Sequence, residues 1–164
     1  MVLVLMGVVG SGKTTVGKLL AHELGWQFAD ADDFHPPANI EKIHRRIPLD
    51  DRDRAPWLSA IHKAIEQWNR AHKNVVLACS ALKQSYRTEL RVGPVQFAYL
   101  KGSPDLILGR LRSRRGHFAS ESILASQFAD LEEPEDALTV PVDQTPEAIV
   151  TEIKARLKPP PLVS

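Results

Sequence analysis

A glycine-rich segment near the start of the chain has the residue types and spacing of a phosphate-binding loop. Residues 7–14 read GVVGSGKT and match the pattern G-x-x-x-x-G-K-[ST] at every defined position. Because glycines have no Cβ, backbone N–H groups can converge on phosphate oxygens, and a helix beginning near Lys13 adds the positive end of its dipole. We expect Lys13 to bridge the β- and γ-phosphates of a nucleoside triphosphate and the Thr14 hydroxyl to bind Mg²⁺.

The surroundings of this motif favour a phosphate loop over a chance glycine-rich turn. A continuous apolar run at 2–6 precedes it, and apolar residues at helical spacing follow at 13–24, where Gly25 ends the pattern. This order of strand, loop and helix is the context that the motif requires. The residues predicted to bind the nucleotide here are Gly7, Gly10, Ser11, Gly12, Lys13, Thr14 and Thr15.

Carboxylates cluster directly after the second predicted strand, 26–29. Asp30, Asp32 and Asp33 would lie beside the phosphate loop if both follow strands of one parallel sheet. In an extended segment, Asp30 and Asp32 point to the same side. We expect one of this pair to hold Mg²⁺ and the other to accept the proton of a hydroxyl that receives phosphate. The alternative is a solvated acidic loop that caps the next helix.

The elements that must position these residues alternate between strand-like and helix-like stretches. Strands are predicted at 2–6, 26–29, 74–80, 95–100 and 138–142, and helices at 13–24, 56–71, 84–91, 105–114, 121–131 and 146–157. This order predicts an α/β fold, a three-layer α/β/α sandwich around a five-stranded parallel sheet of the P-loop NTPase kind. We expect one domain over 1–164, with its ligands at the carboxyl ends of the strands.

Composition and charge exclude several classes of protein. A formal net charge of +1 gives no reason to expect nucleic acid or an anionic membrane as a partner. The apolar runs are too short to span a bilayer, and the first residues lack the basic region of a secretory signal. Cys79 is the single cysteine, which excludes an internal disulfide and a cysteine-based zinc site. We therefore expect a cytoplasmic protein.

Several longer segments carry a more specific signal than the phosphate loop. DADDFHPPANIEKI, ACSALKQSYR and GHF followed by SQFADLEEP occur in this order, within matches that cover nearly the whole chain. They resemble the gluconate kinase (gluconokinase) family, small P-loop carbohydrate kinases related to shikimate kinase and similar to nucleoside monophosphate kinases in architecture. The resemblance implies ATP-dependent phosphorylation of D-gluconate on its terminal hydroxyl, with ATP and Mg²⁺ bound and a homodimer formed. It implies Asp32 as the base and Asp30 as the Mg²⁺ residue.

The resemblance also implies an acceptor pocket. Arg54 matches the arginine of the family pattern D-R-x-P-W-L, and its guanidinium suits a carboxylate, although a surface salt bridge with a neighbouring aspartate is the alternative. Lys83 and Arg87 are four residues apart, share a helical face and could donate hydrogen bonds to the acceptor. The alternative is a solvated basic face of the helix. The predicted substrate-binding residues are Asp32, His35, Arg54, Ser80, Lys83, Arg87, His117 and Gln127.

A basic segment with a glycine break has the composition of a mobile lid over about 110–130. Arg110 and Arg114 match the family pattern R-x-x-x-R-x-G-H-F. An arginine that reaches the γ-phosphate would offset charge that develops during transfer, so we expect Arg114 to be catalytic and Arg110 to bind nucleotide. The alternative is a solvated basic helix.

Two residues depart from the family pattern. Arg46 stands where the family has a glycine, and we expect it to alter the turn near the acceptor. Ala119 stands where the family has a methionine of the lid.

Three other functions compete with this one. A shikimate kinase would show a glycine triplet where this chain has residues 80–82. A GTPase would need N-K-x-D and D-x-x-G motifs, which do not occur. An inactive nucleotide-binding protein would not need Lys13 together with the acidic pair.

Overall fold

The computed structural model describes residues 1–113, 120–160 and 162. The strands are β1 (Val2–Met6), β2 (Gln27–Asp30), β3 (Val75–Ala78), β4 (Val95–Lys101) and β5 (Leu138–Pro141). The helices are α1 (Lys13–Leu24), α2 (Pro37–His44), α3 (Asp51–Arg70), α4 (Gln84–Leu90), α5 (Pro104–Ser113), α6 (Ser120–Asp130) and α7 (Pro146–Arg156). A short 3-10 helix, Ala31–Phe34, joins β2 to α2. Within the described ranges, no helix is both long enough and apolar enough to cross a membrane.

The five strands form one parallel sheet in the order β2-β3-β1-β4-β5. This confirms the predicted α/β fold and the predicted sheet. The register pairs Leu5 of β1 and Asp30 of β2 with the same residue of β3, Ala78. The phosphate loop after β1 and the acidic segment after β2 therefore leave the same edge of the sheet.

The alternation of side chains along β1 builds two hydrophobic cores, one on each face of the sheet. All five residues of β1 are buried. Because successive side chains of a strand point to opposite faces, Leu3 and Leu5 pack with apolar residues of α1, α5 and α7. Val2, Val4 and Met6 pack on the other face with apolar residues of α3 and α4. The sheet is therefore the middle layer of a three-layer sandwich.

Helix α3 begins at Asp51, five residues before the predicted start near Pro56. Asp50 and Asp53 form a capping box: the Asp53 N–H donates to Asp50 Oδ1 at 2.8 Å, and the Asp50 N–H donates to Asp53 Oδ2 at 3.1 Å. The predicted start is wrong because Pro56 lies inside the helix and not in its first turn. Apart from this start, the predicted helices and strands end within two residues of the observed bounds.

The segment between β2 and α3 contains two elements that the periodicity did not predict, the 3-10 helix and α2. Pro37 occupies the first turn of α2, where the missing N–H of proline is tolerated. Arg46 follows this helix with a φ of 64°, the left-handed conformation that glycine adopts without strain. The turn therefore has the backbone shape expected of a glycine, although arginine occupies it.

Candidate active site

A cavity of about 360 Å³ opens at the carboxyl edge of the sheet. Its walls come from the phosphate loop, the acidic segment, the turn after α2, the start of α3, the end of β3, and α6. The sequence-predicted residues that line it are Gly10, Gly12, Lys13, Thr14, Thr15, Asp30, Asp32, His35, Arg54, Ser80 and Gln127. The topology thus brings together residues from six separate parts of the chain.

The phosphate loop encloses its own lysine. Lys13 Nζ donates to the carbonyl oxygens of Gly7 and Val8, both at 3.0 Å. Burial lowers the pKa of Lys13, while the nearby Asp32 and Asp30 carboxylates oppose that effect. The ammonium is held by neutral carbonyls, which phosphate oxygens can replace at lower cost than they could replace a carboxylate partner.

Gly10 is a position of the loop where a side chain would be strained. Its φ is 79°, and an added Cβ would lie 2.9 Å from Leu111 Cδ2. Ser11 is 1% exposed, and its hydroxyl has no hydrogen-bond partner in the described part of the chain. Gly7 donates its N–H to the Ser80 carbonyl at 3.3 Å, which ties the loop to the end of β3. Gly7 and Ser11 are not among the cavity residues, and Gly7 supports the loop through this contact.

Asp30 caps the 3-10 helix and faces Thr14. Its Oδ1 accepts the Asp32 N–H at 3.0 Å, and its Oδ2 accepts the Thr14 hydroxyl at 3.5 Å. The prediction of an extended segment was wrong, because this cap folds the chain into a helical turn immediately after β2. A carboxylate and a hydroxyl at this spacing offer the oxygen ligands that Mg²⁺ prefers.

The Asp32 carboxylate stands in the open cleft beside Lys13. Its side chain is 82% exposed, yet the surrounding cleft walls remove part of its hydration. This desolvation is the largest effect that raises the pKa of Asp32, the charge of Asp30 adds to it, and Lys13 opposes it. A carboxylate with a raised pKa is a better proton acceptor than one in bulk water.

His35 is held in one tautomer by its neighbours. Its ring stacks on Trp57 with centroids 4.7 Å apart, and Asn39 Nδ2 lies 3.2 Å from its Nδ1. The same Asn39 nitrogen donates to the Asp53 carbonyl at 2.8 Å, so it is a donor and His35 Nδ1 accepts. Burial, and then the charge of Arg54, lower the pKa of His35. The neutral ring therefore carries its proton on Nε2, which lies 4.0 Å from Asp32 Oδ1.

Arg54 reaches the cavity with both ends of its guanidinium already hydrogen-bonded. One terminal nitrogen lies 3.0 Å from Asp130 Oδ2 at the end of α6, and the other donates to the Tyr86 hydroxyl at 3.0 Å. The alternative of a salt bridge with a neighbouring aspartate is wrong, because the partner comes from a distant helix. Its side chain is 11% exposed.

Lys83 and Arg87 do not share a face towards the cavity. Lys83 pairs with Asp51 at 2.8 Å and is not among the lining residues. Arg87 is 1% exposed, and its guanidinium donates to the carbonyls of Ala81, Leu82 and Glu132. The predicted substrate contact of Arg87 is contradicted by this burial. Its charge instead holds the loop after β3 against the segment after α6.

Two further predicted residues contact other parts of the chain. The Val9 N–H of the phosphate loop donates to Gln127 Oε1 at 2.7 Å. Arg110 donates to the Val142 carbonyl just after β5, and is not among the cavity residues. Arg114 and His117 lie outside the described residues, so their roles stay predictions.

Comparison with known proteins places the chain among small kinases. The family described as shikimate kinase matches residues 9–158. The thermoresistant gluconokinase of Escherichia coli K12 is 46% identical, over 90% of this chain and 87% of its own length. The gluconokinase of Gluconobacter oxydans 621H is 44% identical, over 92% and 88%. The chain belongs to the gluconokinase family.

A solved gluconokinase structure has the same architecture. The crystal structure of a gluconokinase from Sinorhizobium meliloti 1021 is 42% identical, has a TM-score of 0.85, and aligns over 93% of this chain and 89% of that chain. The likeness therefore covers most of this chain. It agrees with the resemblance that the sequence motifs indicate.

Four residues of this gluconokinase-family site were missed by sequence reasoning. Trp57 stacks on His35 and donates its Nε1 proton to the Ala31 carbonyl at 2.7 Å. Asn39 is 3% exposed, and Tyr86 and Asp130 hold Arg54. Trp57 falls on the apolar face of α3, so it could have been expected near the core. The others lie within the segments DADDFHPPANIEKI, ACSALKQSYR and SQFADLEEP, which resemble the family, but nothing in those segments shows that these residues hold His35 and Arg54.

Proposed function

We propose that this protein is an ATP-dependent gluconokinase, which transfers the γ-phosphoryl group of ATP to the terminal hydroxyl of D-gluconate. The products are 6-phospho-D-gluconate and ADP. The observation that carries the proposal is that a phosphate loop and the Asp32 carboxylate line one cavity. Relatives named gluconokinase, at 44% and 46% identity, supply the identity of the acceptor.

Asp32 is the proposed base. The acceptor oxygen bonds to the γ-phosphorus while the bond from that phosphorus to the β–γ bridging oxygen breaks, and the electron pair of the broken bond stays on ADP. The proton of the hydroxyl passes to Asp32. Its position beside Lys13 and its raised pKa support this role.

The charge that develops on the phosphoryl group is met by cations and backbone N–H groups. We propose that Lys13 leaves the Gly7 and Val8 carbonyls to contact the β- and γ-phosphates. The N-terminus of α1 adds its unpaired N–H groups. Arg114 in the proposed lid and Arg110 beside the end of β5 are the further nucleotide contacts that the sequence predicts.

Mg²⁺ fits the oxygen donors of Thr14 and Asp30. Their side-chain oxygens lie 3.5 Å apart, and Mg²⁺ in such sites takes one or two protein ligands, with phosphate and water as the others. Bound there, Mg²⁺ would neutralise phosphate charge. Asp30 is kept in place for this role by its cap on the Asp32 N–H.

The acceptor is proposed to lie between His35, Arg54 and Ser80. The neutral His35 offers its Nε2 proton to a hydroxyl, and Arg54 offers the remaining N–H groups of its guanidinium to the carboxylate. Since Asp130 already occupies one end of Arg54, an acid that binds there must share or displace that carboxylate. An uncharged sugar could accept hydrogen bonds from this arginine but would lack the ion pair that a carboxylate forms with it.

The proposal also covers two properties of the whole protein, its oligomeric state and its location. A homodimer is supported by the family resemblance, and a cytoplasmic location by the use of ATP and by the unpaired Cys79 thiol. Light scattering after size exclusion at micromolar concentrations tests the dimer directly. A monomer mass would contradict it.

ADP release measured with a panel of sugar acids tests the acceptor. We expect turnover with D-gluconate well above that with any other member of the panel, because the pocket pairs hydroxyl-binding groups with a cation for the carboxylate. Efficient turnover of shikimate or another acid, with none for D-gluconate, would contradict the proposal.

A further inference from the structure

The side-chain amide of Gln127 has one orientation compatible with its contact to the phosphate loop. The Val9 N–H donates to it at 2.7 Å. Because a backbone N–H can only donate, the atom that faces it must be the carbonyl oxygen Oε1. Nε2 and its two N–H donors therefore form the other end of the side chain.

Nε2 has no hydrogen-bond partner within the part of the chain that the structure describes. Gln127 is half-buried and lines the cavity together with Val9, Lys13 and Asp32. A cavity-lining amide with its oxygen engaged and two unpaired donors is suited to an anionic oxygen. The Val9 contact places Gln127 against the phosphate loop, on the nucleotide side of the cavity.

We propose that Gln127 is a catalytic residue, whose Nε2 donates to a non-bridging oxygen of the γ-phosphoryl group while Oε1 remains on Val9. The inference rests on the proposed function and deepens it, because it assigns a phosphate contact to a residue that the sequence predicts to bind the acceptor. Charge grows on that phosphoryl group as the acceptor oxygen bonds to phosphorus and the bond to ADP breaks. A donor already fixed by Val9 needs no reorganisation when this happens.

Helix α6 gains a direct role through this contact. Gln127 lies one turn before Asp130, which holds Arg54 in the acceptor pocket. The same helix turn thus contacts the phosphate loop and the arginine proposed for the carboxylate. Loss of the Gln127 donor should impair transfer more than it impairs nucleotide binding.

Two substitutions separate the phosphate contact from the support of the loop. Gln127→Glu keeps an oxygen for the Val9 N–H but removes both donors, and Gln127→Met removes donors and acceptor together. Gln67→Glu is the matched control, because Gln67 is exposed on α3 and is not among the cavity residues. The measurements are kcat with the fastest acid of the panel, ADP affinity by titration calorimetry, and the melting temperature.

The inference predicts that both Gln127 variants lose on the order of 100-fold in kcat. Gln127→Met should keep its affinity for ADP, which has no γ-phosphate, within about threefold, and Gln67→Glu should match the wild type. A kcat of Gln127→Glu within about threefold of wild type would overturn the inference, since loop support alone would then suffice. A loss of ADP affinity in Gln127→Met as large as its loss of kcat would also overturn it.

Failure of the proposed function would look different. If the wild type rejects D-gluconate and phosphorylates another acid, the proposed acceptor is wrong. The ratio of variant to wild-type kcat can still be measured with that other acid. The contact to the γ-phosphoryl group is then judged by the same ratio.

Discussion

Asp32 is the residue on which the proposed chemistry depends most. The cleft walls and Asp30 both disfavour its charged form, and Lys13 only partly offsets them. Its charged form, which the proposed base requires, therefore costs the folded state some stability. Substitution at this one position should therefore change activity and stability in opposite directions.

Asp32→Asn should lose about 10²- to 10⁴-fold in kcat while ATP still binds, because the amide cannot accept the proton. The folded pKa of Asp32 lies above its unfolded value of 3.8, so the folded state binds this proton more tightly. The stability that this provides is present below pH 3.8 and is lost as pH rises through the folded pKa. The asparagine variant should therefore melt at a higher temperature than wild type at pH 7, and the difference should shrink in acid.

Kinetics with D-gluconate and thermal melts at pH 7 and at acidic pH provide the measurement. Asp33→Asn is the control, because Asp33 is next in the chain and is not among the cavity residues. A kcat near that of wild type in Asp32→Asn would remove this residue as the base.

Arg87 shows how a cation can be essential without facing the substrate. Its guanidinium satisfies three backbone carbonyls, and it is 1% exposed. Arg87→Met should lower the free energy of unfolding by about 3 kcal/mol or more, because buried carbonyls lose their donors. Lys83→Met should cost less than about 1 kcal/mol, since its partner Asp51 is 68% exposed and can be hydrated once the pair is lost. Urea denaturation of both variants tests the contrast, and equal losses would contradict this reading of Arg87.

At the scale of elements, the turn between α2 and α3 keeps a shape that suits glycine. Arg46 adopts a φ of 64° there, and Ile47, Pro48 and Leu49 continue from it along the cavity wall. The left-handed conformation costs a residue with a Cβ about 1 kcal/mol. The turn therefore stores a small strain beside the cavity.

Arg46→Gly should raise the free energy of unfolding by up to about 1 kcal/mol by removing this strain. Arg45→Gly is the matched control, because Arg45 has a φ of −83° and glycine should instead destabilise it by about 0.5–1 kcal/mol. Chemical denaturation of the pair provides the test. Destabilisation by Arg46→Gly would show that its side-chain contacts outweigh the backbone strain.

The elements themselves were largely predictable from local sequence. β1 and α1 agree with their predicted bounds, because a continuous apolar run and a glycine stop are strong local signals. The start of α3 was not predicted correctly, because the Asp50–Asp53 capping box competes with Pro56 as a start signal. The helical turn after Asp30 depends on one side chain capping the backbone, which periodicity does not detect.

At the scale of the whole molecule, the site is assembled by contacts between distant parts of the chain. Arg54 of α3 contacts Asp130 of α6, and Val9 of the phosphate loop contacts Gln127 of the same helix. The parallel sheet explains why the phosphate loop and Asp30 leave the same edge, and this was predictable from the alternating pattern. The partners of Arg54 and the burial of Arg87 could not be predicted. The sequence of a helix does not show which distant carboxylate or carbonyl its side chains will contact.

The central claim is phosphate transfer to the terminal hydroxyl of D-gluconate, and the product formed from ATP tests it most directly. Phosphorus NMR of a completed reaction identifies the site, because a phosphate on the terminal CH₂ couples to two protons and one on any other hydroxyl-bearing carbon couples to one. The account predicts a single phosphate-monoester triplet that appears together with ADP. A doublet, or ADP formed with inorganic phosphate and no ester, would contradict it.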